Sequence, residues 1–255
     1  MAKSEAAKTV KRALEVLNFL ATAGGPVGVI ELSKELDASQ STIYRILSTL
    51  AAEGYVAQDP HTDKYALGLQ ALVPAGAVLN QLEVRKQALS ALERLAAETG
   101  CNANLAVLYR GAVLYVGRID GPKSARMYTV LGRLAPAHAT GLGKAMLAFL
   151  PEPEVEAIIG NGRLKPFTPG TITDPELLRQ ELERTRARGF ALDHEEFVEG
   201  IRCVAVPIRG QHGRIEGALS VSGSAYQVRP DAEEALAARL QDVAYEVSGR
   251  LGYIA

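Results

Sequence analysis

Cysteine is almost absent from this chain. Its two copies, Cys101 and Cys203, follow no pairing pattern, which excludes a disulfide framework and points to a reducing compartment. Long apolar runs are missing too. No stretch approaches the roughly twenty residues needed to span a bilayer, and the N-terminal MAKSEAAKTVKR lacks the apolar segment of a signal peptide. A soluble cytoplasmic protein that avoids membranes is expected. Excess charge of either sign is also lacking. The 28 Lys and Arg stand against 29 Asp and Glu, which argues against a polyanion or membrane-surface binder. What is present is 255 residues, 47% of them hydrophobic, enough for two domains with a packed core in each.

The most informative stretch lies near the N-terminus. Val29–Leu36 (VIELSKEL) reads as a short amphipathic helix with apolar Ile30, Leu32 and Leu36, followed by a polar turn at Asp37-Ala38-Ser39. Ser39–Val56 carries a second helical pattern, with Ile43, Ile46, Leu47 and Leu50 at i, i+3, i+4 and i+7. Its other face holds Gln40, Ser41, Thr42, Tyr44 and Arg45, short donors at the end of a helix that could meet base edges. The helix stops at Gly54. Extended pieces Tyr55–Gln58 and Lys64–Leu67 follow, joined by Asp59-Pro60-His61-Thr62-Asp63. Thr9–Ala23 supplies a scaffold helix with Val10, Leu14, Leu17 and Leu20 facing inward. Helix, turn, helix, hairpin is the order of a winged helix-turn-helix. Many all-α domains share part of that pattern without touching nucleic acid, but the hairpin and the donor-rich face favour DNA. Residues 1–80 hold seven Lys/Arg against eight Asp/Glu, so the usual basic footprint is missing. The local cations are Lys8, Lys11, Arg12, Arg45 and Lys64, and a dimer or larger assembly is expected to be needed for adequate affinity.

Beyond it, Leu67–Leu82 reads as a nearly uncharged linker helix kinked at Pro74. Glu83–Thr99 is amphipathic and closed by Gly100. The period then changes to that of strands: Asn104–Tyr109 and Val113–Ile119 around Arg110-Gly111, with Arg126–Val130 as a further strand. Thr140 caps a helix over Gly141–Leu150, Pro151-Glu152 opens another to Ile159, and Asp174-Pro175 starts a third ending near Arg188-Gly189. Strands Arg202–Ile208 and Ile215–Val221 flank the turn Gly210–Gly213, and a last helix covers 230–250. Five strands in one antiparallel sheet, with a long helix at each end, make an α+β sensor-like domain.

Three signatures in order then identify a family. STIYRIL (Ser41–Leu47) with EGYV (Glu53–Val56) lies in the winged module. PAHATGLGKAMLAFLP spans Pro136–Pro151, and GFALDHEEFVEGIRCVAVPI spans Gly189–Ile208, followed by GALSVSG (Gly217–Gly223). With them the chain resembles transcriptional regulators of the IclR family over almost its entire length. The resemblance implies a winged helix-turn-helix domain (1–68), a linker helix (69–82) and a GAF-like, profilin-like effector-binding domain (83–255). It also implies a dimer or dimer of dimers whose affinity for double-stranded operator DNA is set by a small metabolite, commonly for a catabolic operon. Gln40, Ser41, Thr42, Tyr44, Arg45 and Lys64 are the candidate DNA contacts.

The chemistry of the second domain can be read beside that resemblance. A helix start at Thr140, Gly141, Leu142 and Gly143 offers backbone N–H groups to an anion, and its glycines would admit a ligand closely. A nucleotide-binding loop is excluded: His138 stands where the first glycine belongs, and Ala145 follows Lys144 where a hydroxyl is needed. Ser220 and Ser222 share one face of a strand. In proteins of the resembled family, residues spaced like Asp193, Cys203, Ser220 and Ser222 line the pocket and hold a small carboxylate or keto acid. Glu195 and Glu196, as an acid pair, are expected to face water. Lys144 either steers the anion or sits on a solvated helix face. Met127, Leu131, Met146 and the apolar part of Asn104–Leu108 form either an apolar wall or plain core. No cofactor, metal or catalytic residue is expected. Two alternatives stay open: a Cys203-dependent hydrolase with His138 or His194 as base and Asp193 as orienter, and a metal-responsive regulator using His138, Asp193, His194 and Cys203.

Overall fold

The computed structural model describes residues 2–123, 130–160 and 162–254. The chain divides into two compact units, Met1–Gln81 and Leu82–Ala255.

The first unit opens with α1 (Ala2–Thr22). Its buried stripe is Val16 and Leu20, flanked by Ala13, Leu17 and Phe19. Val10 and Leu14, expected to face inward, are 61% and 55% exposed, because the core of this unit reaches only the C-terminal half of α1. α2 (Val29–Glu35) contributes Leu32, fully buried, whereas Ile30 faces outward. Asp37 turns the chain in the left-handed region at φ 45°, a conformation Asp tolerates better than most residues. α3 (Gln40–Ala52) then buries Ile43, Ile46 and Leu47 on one side. After Gly54, at φ +74°, the hairpin β1 (Val56–Gln58) and β2 (Tyr65–Leu67) forms the wing. Val27 and Tyr65 exchange two backbone hydrogen bonds of 2.8 Å, so the wing is sewn to the segment that leads into α2.

The linker pattern resolves differently from its expectation. A 3-10 turn over Leu69–Ala71 precedes α4 (Leu72–Gln81). Pro74 falls in the first turn of α4, where no intrahelical acceptor is available to its missing N–H, and so it starts the helix instead of kinking it.

In the second unit, α5 (Glu83–Thr99) ends at Gly100 in the left-handed conformation. β3 (Asn102–Tyr109) and β4 (Ala112–Ile119) pair through a tight turn in which Arg110 and Gly111 both have positive φ, the geometry that matches strand twist. There follow β5 (Leu134–Pro136), α6 (Gly141–Leu147), α7 (Glu152–Ile159), α8 (Pro175–Arg188), β6 (Ala191–His194), β7 (Ile201–Arg209), β8 (Ile215–Ser224) and α9 (Glu233–Arg250). Among the described residues the sheet runs β5-β4-β3-β8-β7-β6, antiparallel throughout. That is six strands where five were expected. The additions, β5 and β6, have three and four residues, too short to show a period. The expected strand Arg126–Val130 lies, but for Val130, outside the described residues, as does Met127.

The two faces of this sheet differ in chemistry. One presents Ala103 and Leu105 of β3, Val204, Val206 and Ile208 of β7, and Leu219 and Val221 of β8, all buried; α5 and α9 cover it. The opposite face presents Asn102 and Asn104, Asp193, Cys203 and Ala205, and Ser220 and Ser222. Onto this polar face packs α6.

Candidate nucleic-acid interface and effector site

α3 is positioned by its start. Ser39 Oγ accepts from Thr42 N at 3.3 Å and lies 2.9 Å from Thr42 Oγ1 and 3.0 Å from Ser41 Oγ. An N-cap of this kind stabilises a helix by about 1 kcal/mol. It also ties up part of the Ser41 and Thr42 hydroxyl capacity, and Thr42 is half-buried. Gln40, Tyr44 and Arg45 are exposed, Tyr44 by 60%, so the helix carries its buried stripe inward and these side chains outward. Lys64 is exposed on the wing. Arg12, counted among the local cations, donates instead to Leu36 O and pairs with Glu15 at 3.0 Å, which makes it a brace between α1 and α2.

In the second unit the strand register assembles the effector candidates. Asp193 pairs with Cys203, Cys203 with Ser222, and Ser222 with Asn102; one step along, Ala205 pairs with Ser220, Ser220 with Asn104, and Asn104 with Arg118. Asn104 Nδ2 donates to Ser220 Oγ and Ser222 Oγ, each at 3.2 Å. Its Oδ1 is buried with no partner among the described residues. Asp193 Oδ1 accepts from Glu196 N at 2.8 Å. Burial, then the nearby Glu196 carboxylate, pushes Asp193 up to about 7 against a pull from Lys144. Burial and Asp193 together push the Cys203 thiol up to about 12, although Ser222 and Ser220 hydrogen bonds oppose the rise. Tyr115 is 6% exposed, and its phenol is held far above its ordinary range by burial, then by Cys203 and Asp193. The arrangement is a patch of hydrogen-bonding groups inside an apolar wall, with Cys203 and Tyr115 held neutral and Asp193 protonated below about pH 7.

α6 stands on this patch. Thr140 caps it, accepting from Gly143 N at 3.2 Å and donating to Pro136 O at 2.9 Å. A Cβ on Gly141 would come 3.0 Å from Cys203 Sγ, and one on Gly143 would come 2.1 Å from Ala137 O. Gly143 is therefore required by protein packing and Gly141 sits in tight contact with Cys203, whereas the sequence suggests room for a ligand. Leu142 is buried in the same core, and Met146 is core as well. Leu131 is 43% exposed.

Several other expectations are corrected. Lys144 neither faces solvent nor stands open to an anion: it is 1% exposed and its ammonium is bound to Glu196. Glu196 is accordingly buried, with Oε2 lacking a partner among the described residues, while Glu195 accepts from Gly200 N at 2.8 Å. Strand alternation sends His194 to the face opposite Asp193, where Nε2 meets Glu233 Oε1 at 2.8 Å. His138 Nε2 is held 3.0 Å from Lys165 O, with its ring against Phe167. Neither imidazole is placed to deprotonate Cys203, whose thiol is strongly disposed to stay neutral. Among the described residues, no three of His, Cys, Asp and Glu gather as a metal site. Asn104 and Tyr115, which sequence reasoning does not single out, join the polar patch. A usable signal existed for Asn104: polar residues at 102 and 104, alternating within an apolar run, as the serines do.

Comparison with known proteins agrees with this two-unit layout. Residues 9–60 match the IclR helix-turn-helix domain, and residues 76–249 match the bacterial transcriptional regulator IclR C-terminal family. The HTH-type transcriptional regulator XynR of Escherichia coli (strain K12) is 35% identical over 247 residues, covering 96% of this chain and 98% of that one. The crystal structure of the Thermotoga maritima IclR superposes with a TM-score of 0.77 at 33% identity, covering 96% and 99%. An IclR homolog from Microbacterium hydrocarbonoxydans, complexed with 4-hydroxybenzoate, shares the fold with a TM-score of 0.81 at 23% identity, covering 96% and 99%. The chain belongs to the IclR family of bacterial transcriptional regulators. It combines a helix-turn-helix DNA-binding domain with a C-terminal effector-binding domain. No helix among the described residues is long and apolar enough to cross a membrane.

Proposed function

We propose that the protein is a one-component regulator that holds double-stranded operator DNA through Gln40, Ser41, Thr42, Tyr44, Arg45 and Lys64. A small carboxylate or keto acid, seated on the polar sheet face, sets its operator affinity and so the output of a catabolic operon. The observation that carries the reading is the buried row Asp193–Cys203–Ser222 with Asn104 bridging both serines and keeping one acceptor unspent. An apolar wall has no structural need for so many polar groups, since each costs about 1–3 kcal/mol if left unmatched. The serine hydroxyls, which accept from Asn104, keep their own O–H groups to donate to a carboxylate, whereas Asn104 Oδ1 can be matched only by a donor, such as a hydroxyl on the same ligand. Asp193, neutral when the pH is below about 7, does not repel an anion and can donate to it. The start of α6 at Thr140–Gly143 borders this face and leaves the Gly141 and Leu142 N–H groups without intrahelical acceptors. The 4-hydroxybenzoate held by a protein of the same fold is a carboxylate of this size.

The same groups suit binding better than catalysis, because a thiol held neutral without a base is a poor nucleophile. Two copies acting on a two-fold site would offset the weak phosphate attraction of a unit without net basic charge. Thermal-shift screening of small organic acids against the full chain, followed by gel shifts on DNA selected from a random pool, tests the reading. Selection of no sequence, or stabilisation by no acid, would refute it.

A further inference from the structure

We propose that the second unit carries another small-molecule site, a cavity of about 400 Å3 between the last turn of α8, the end of β7 and α9, that takes a small organic phosphate. Arg186, Arg209, Phe149, Tyr245, Ser248 and Tyr253 line it. It shares no lining residue with the polar face assigned to the effector, so the inference stands apart from that reading.

Charge is the first observation. No Asp or Glu lines the cavity. Elsewhere in this unit Arg94, Arg179, Arg188 and Arg239 are each paired with a glutamate. Among the described residues, Arg186 and Arg209 have no carboxylate at ion-pair distance. Two uncompensated guanidinium groups thus open into one hollow, in a chain whose net charge is −1.

Geometry is the second. The Arg209 guanidinium lies 4.4 Å from the Phe149 ring centroid and 5.9 Å from that of Tyr253. Stacking of this kind occupies the faces of the guanidinium and leaves its N–H edge for an acceptor. The backbone beside it is fixed, since Arg209 N donates to Ser248 Oγ at 2.9 Å. Arg186 Nε donates to Ala148 O at 2.6 Å, which anchors one edge of that fork and leaves its terminal nitrogens to turn elsewhere. Two forks from separate elements suit the several oxygens and double charge of a phosphate monoester. Tyr245 and Gln241 also line the cavity; the Gln241 amide nitrogen donates to Arg188 O at 3.3 Å, which leaves its oxygen as an acceptor for a hydroxylated body.

The test is calorimetric titration of the full-length protein with glycerol 3-phosphate, beside inorganic phosphate and glycerol. Saturable binding of glycerol 3-phosphate is expected, tighter than that of inorganic phosphate and absent for glycerol. Arg186→Gln and Arg209→Gln should each weaken it about tenfold or more. Ser220→Ala/Ser222→Ala should leave it unchanged. Hydrogen exchange should show protection in the segments holding Phe149 and Tyr253. Arg186 is exposed, so its variant keeps the test valid should Arg209→Gln fail to fold. Absence of saturable binding, equal binding of inorganic phosphate, unchanged affinity in Arg186→Gln, or protection confined to Ser220–Ser222 would each overturn the proposal.

Discussion

Asp193→Asn should stabilise this protein, and by an amount that depends on pH. The side chain is 6% exposed, and burial is the main reason that its carboxyl rises from 3.8 to about 7. The folded state therefore binds a proton more readily than the unfolded chain does. Between about pH 4 and pH 7 the folded state holds more protons, so stability falls as pH rises through that window. Above pH 7 the full penalty of a buried carboxylate is in place; below pH 4 both states are protonated and it vanishes. A shift of about three units corresponds to roughly 4 kcal/mol at 1.36 kcal/mol per unit. Asparagine is close to the same shape and keeps an oxygen that can accept from Glu196 N, now 2.8 Å away, but it carries no charge at any pH.

The assay is thermal unfolding of wild type and Asp193→Asn across pH 4 to 8. Near pH 4 the two curves should almost coincide. By pH 8 the variant should melt higher by about 8–16 °C, taking roughly 2–4 °C per kcal/mol for a domain of this size. An offset that stays constant across the series would refute the reasoning, because a pH-independent effect reports packing and not ionisation. Reversed growth, with the variant losing ground as pH rises, would show that Lys144 dominates over burial at this carboxyl.

Arg45→Ala should weaken operator binding by about 1–3 kcal/mol without lowering the melting temperature, as gel-shift titration beside a melt will check. Ser220→Ala/Ser222→Ala should reduce affinity for the effector acid at least about tenfold, the loss expected from charge-assisted hydrogen bonds, while operator binding persists; calorimetry and a gel shift measure the two halves. Gly143→Ala should destabilise by about 1–3 kcal/mol or more, since its Cβ would sit 2.1 Å from Ala137 O, and denaturant unfolding reads the loss. Sedimentation should show dimers or larger species with and without DNA; monomers alone would contradict two-fold recognition.

The winged unit was largely legible in the sequence because its signals are local. A helical period over Ile43, Ile46, Leu47 and Leu50, a capping serine and a turn-rich hairpin are all decided by residues close in the chain. Val10 and Leu14 depart from the inward-facing expectation for a matching reason. They continue the apolar stripe of α1, yet whether a stripe is covered depends on how far the neighbouring elements extend, and here the core stops at Ala13. The short strands β5 and β6 escaped because three or four residues cannot display a period of two; they exist through pairing with β4 and β7.

The polar face shows most clearly what pattern alone leaves out. Ser220 and Ser222 were readable as a pair because alternation is local, and Asn102 and Asn104 carry the same signal on β3. That the two pairs meet is a matter of register between strands more than one hundred residues apart, which no window along the chain contains. Lys144 is the sharper case. On a short helix with a mixed pattern, a lysine is ordinarily solvated, and Glu195-Glu196 reads as an exposed acid pair. The fold brings Lys144 and Glu196 together and buries both, and each is tolerable there only because of the other: removing one partner of such a pair costs about 3–5 kcal/mol. The same Glu196 supplies the N–H that holds Asp193 and the charge that helps keep it protonated. One buried ion pair thus joins the end of β6 to α6, while its two charges pull in opposite directions on an acid whose protonation is set mainly by burial.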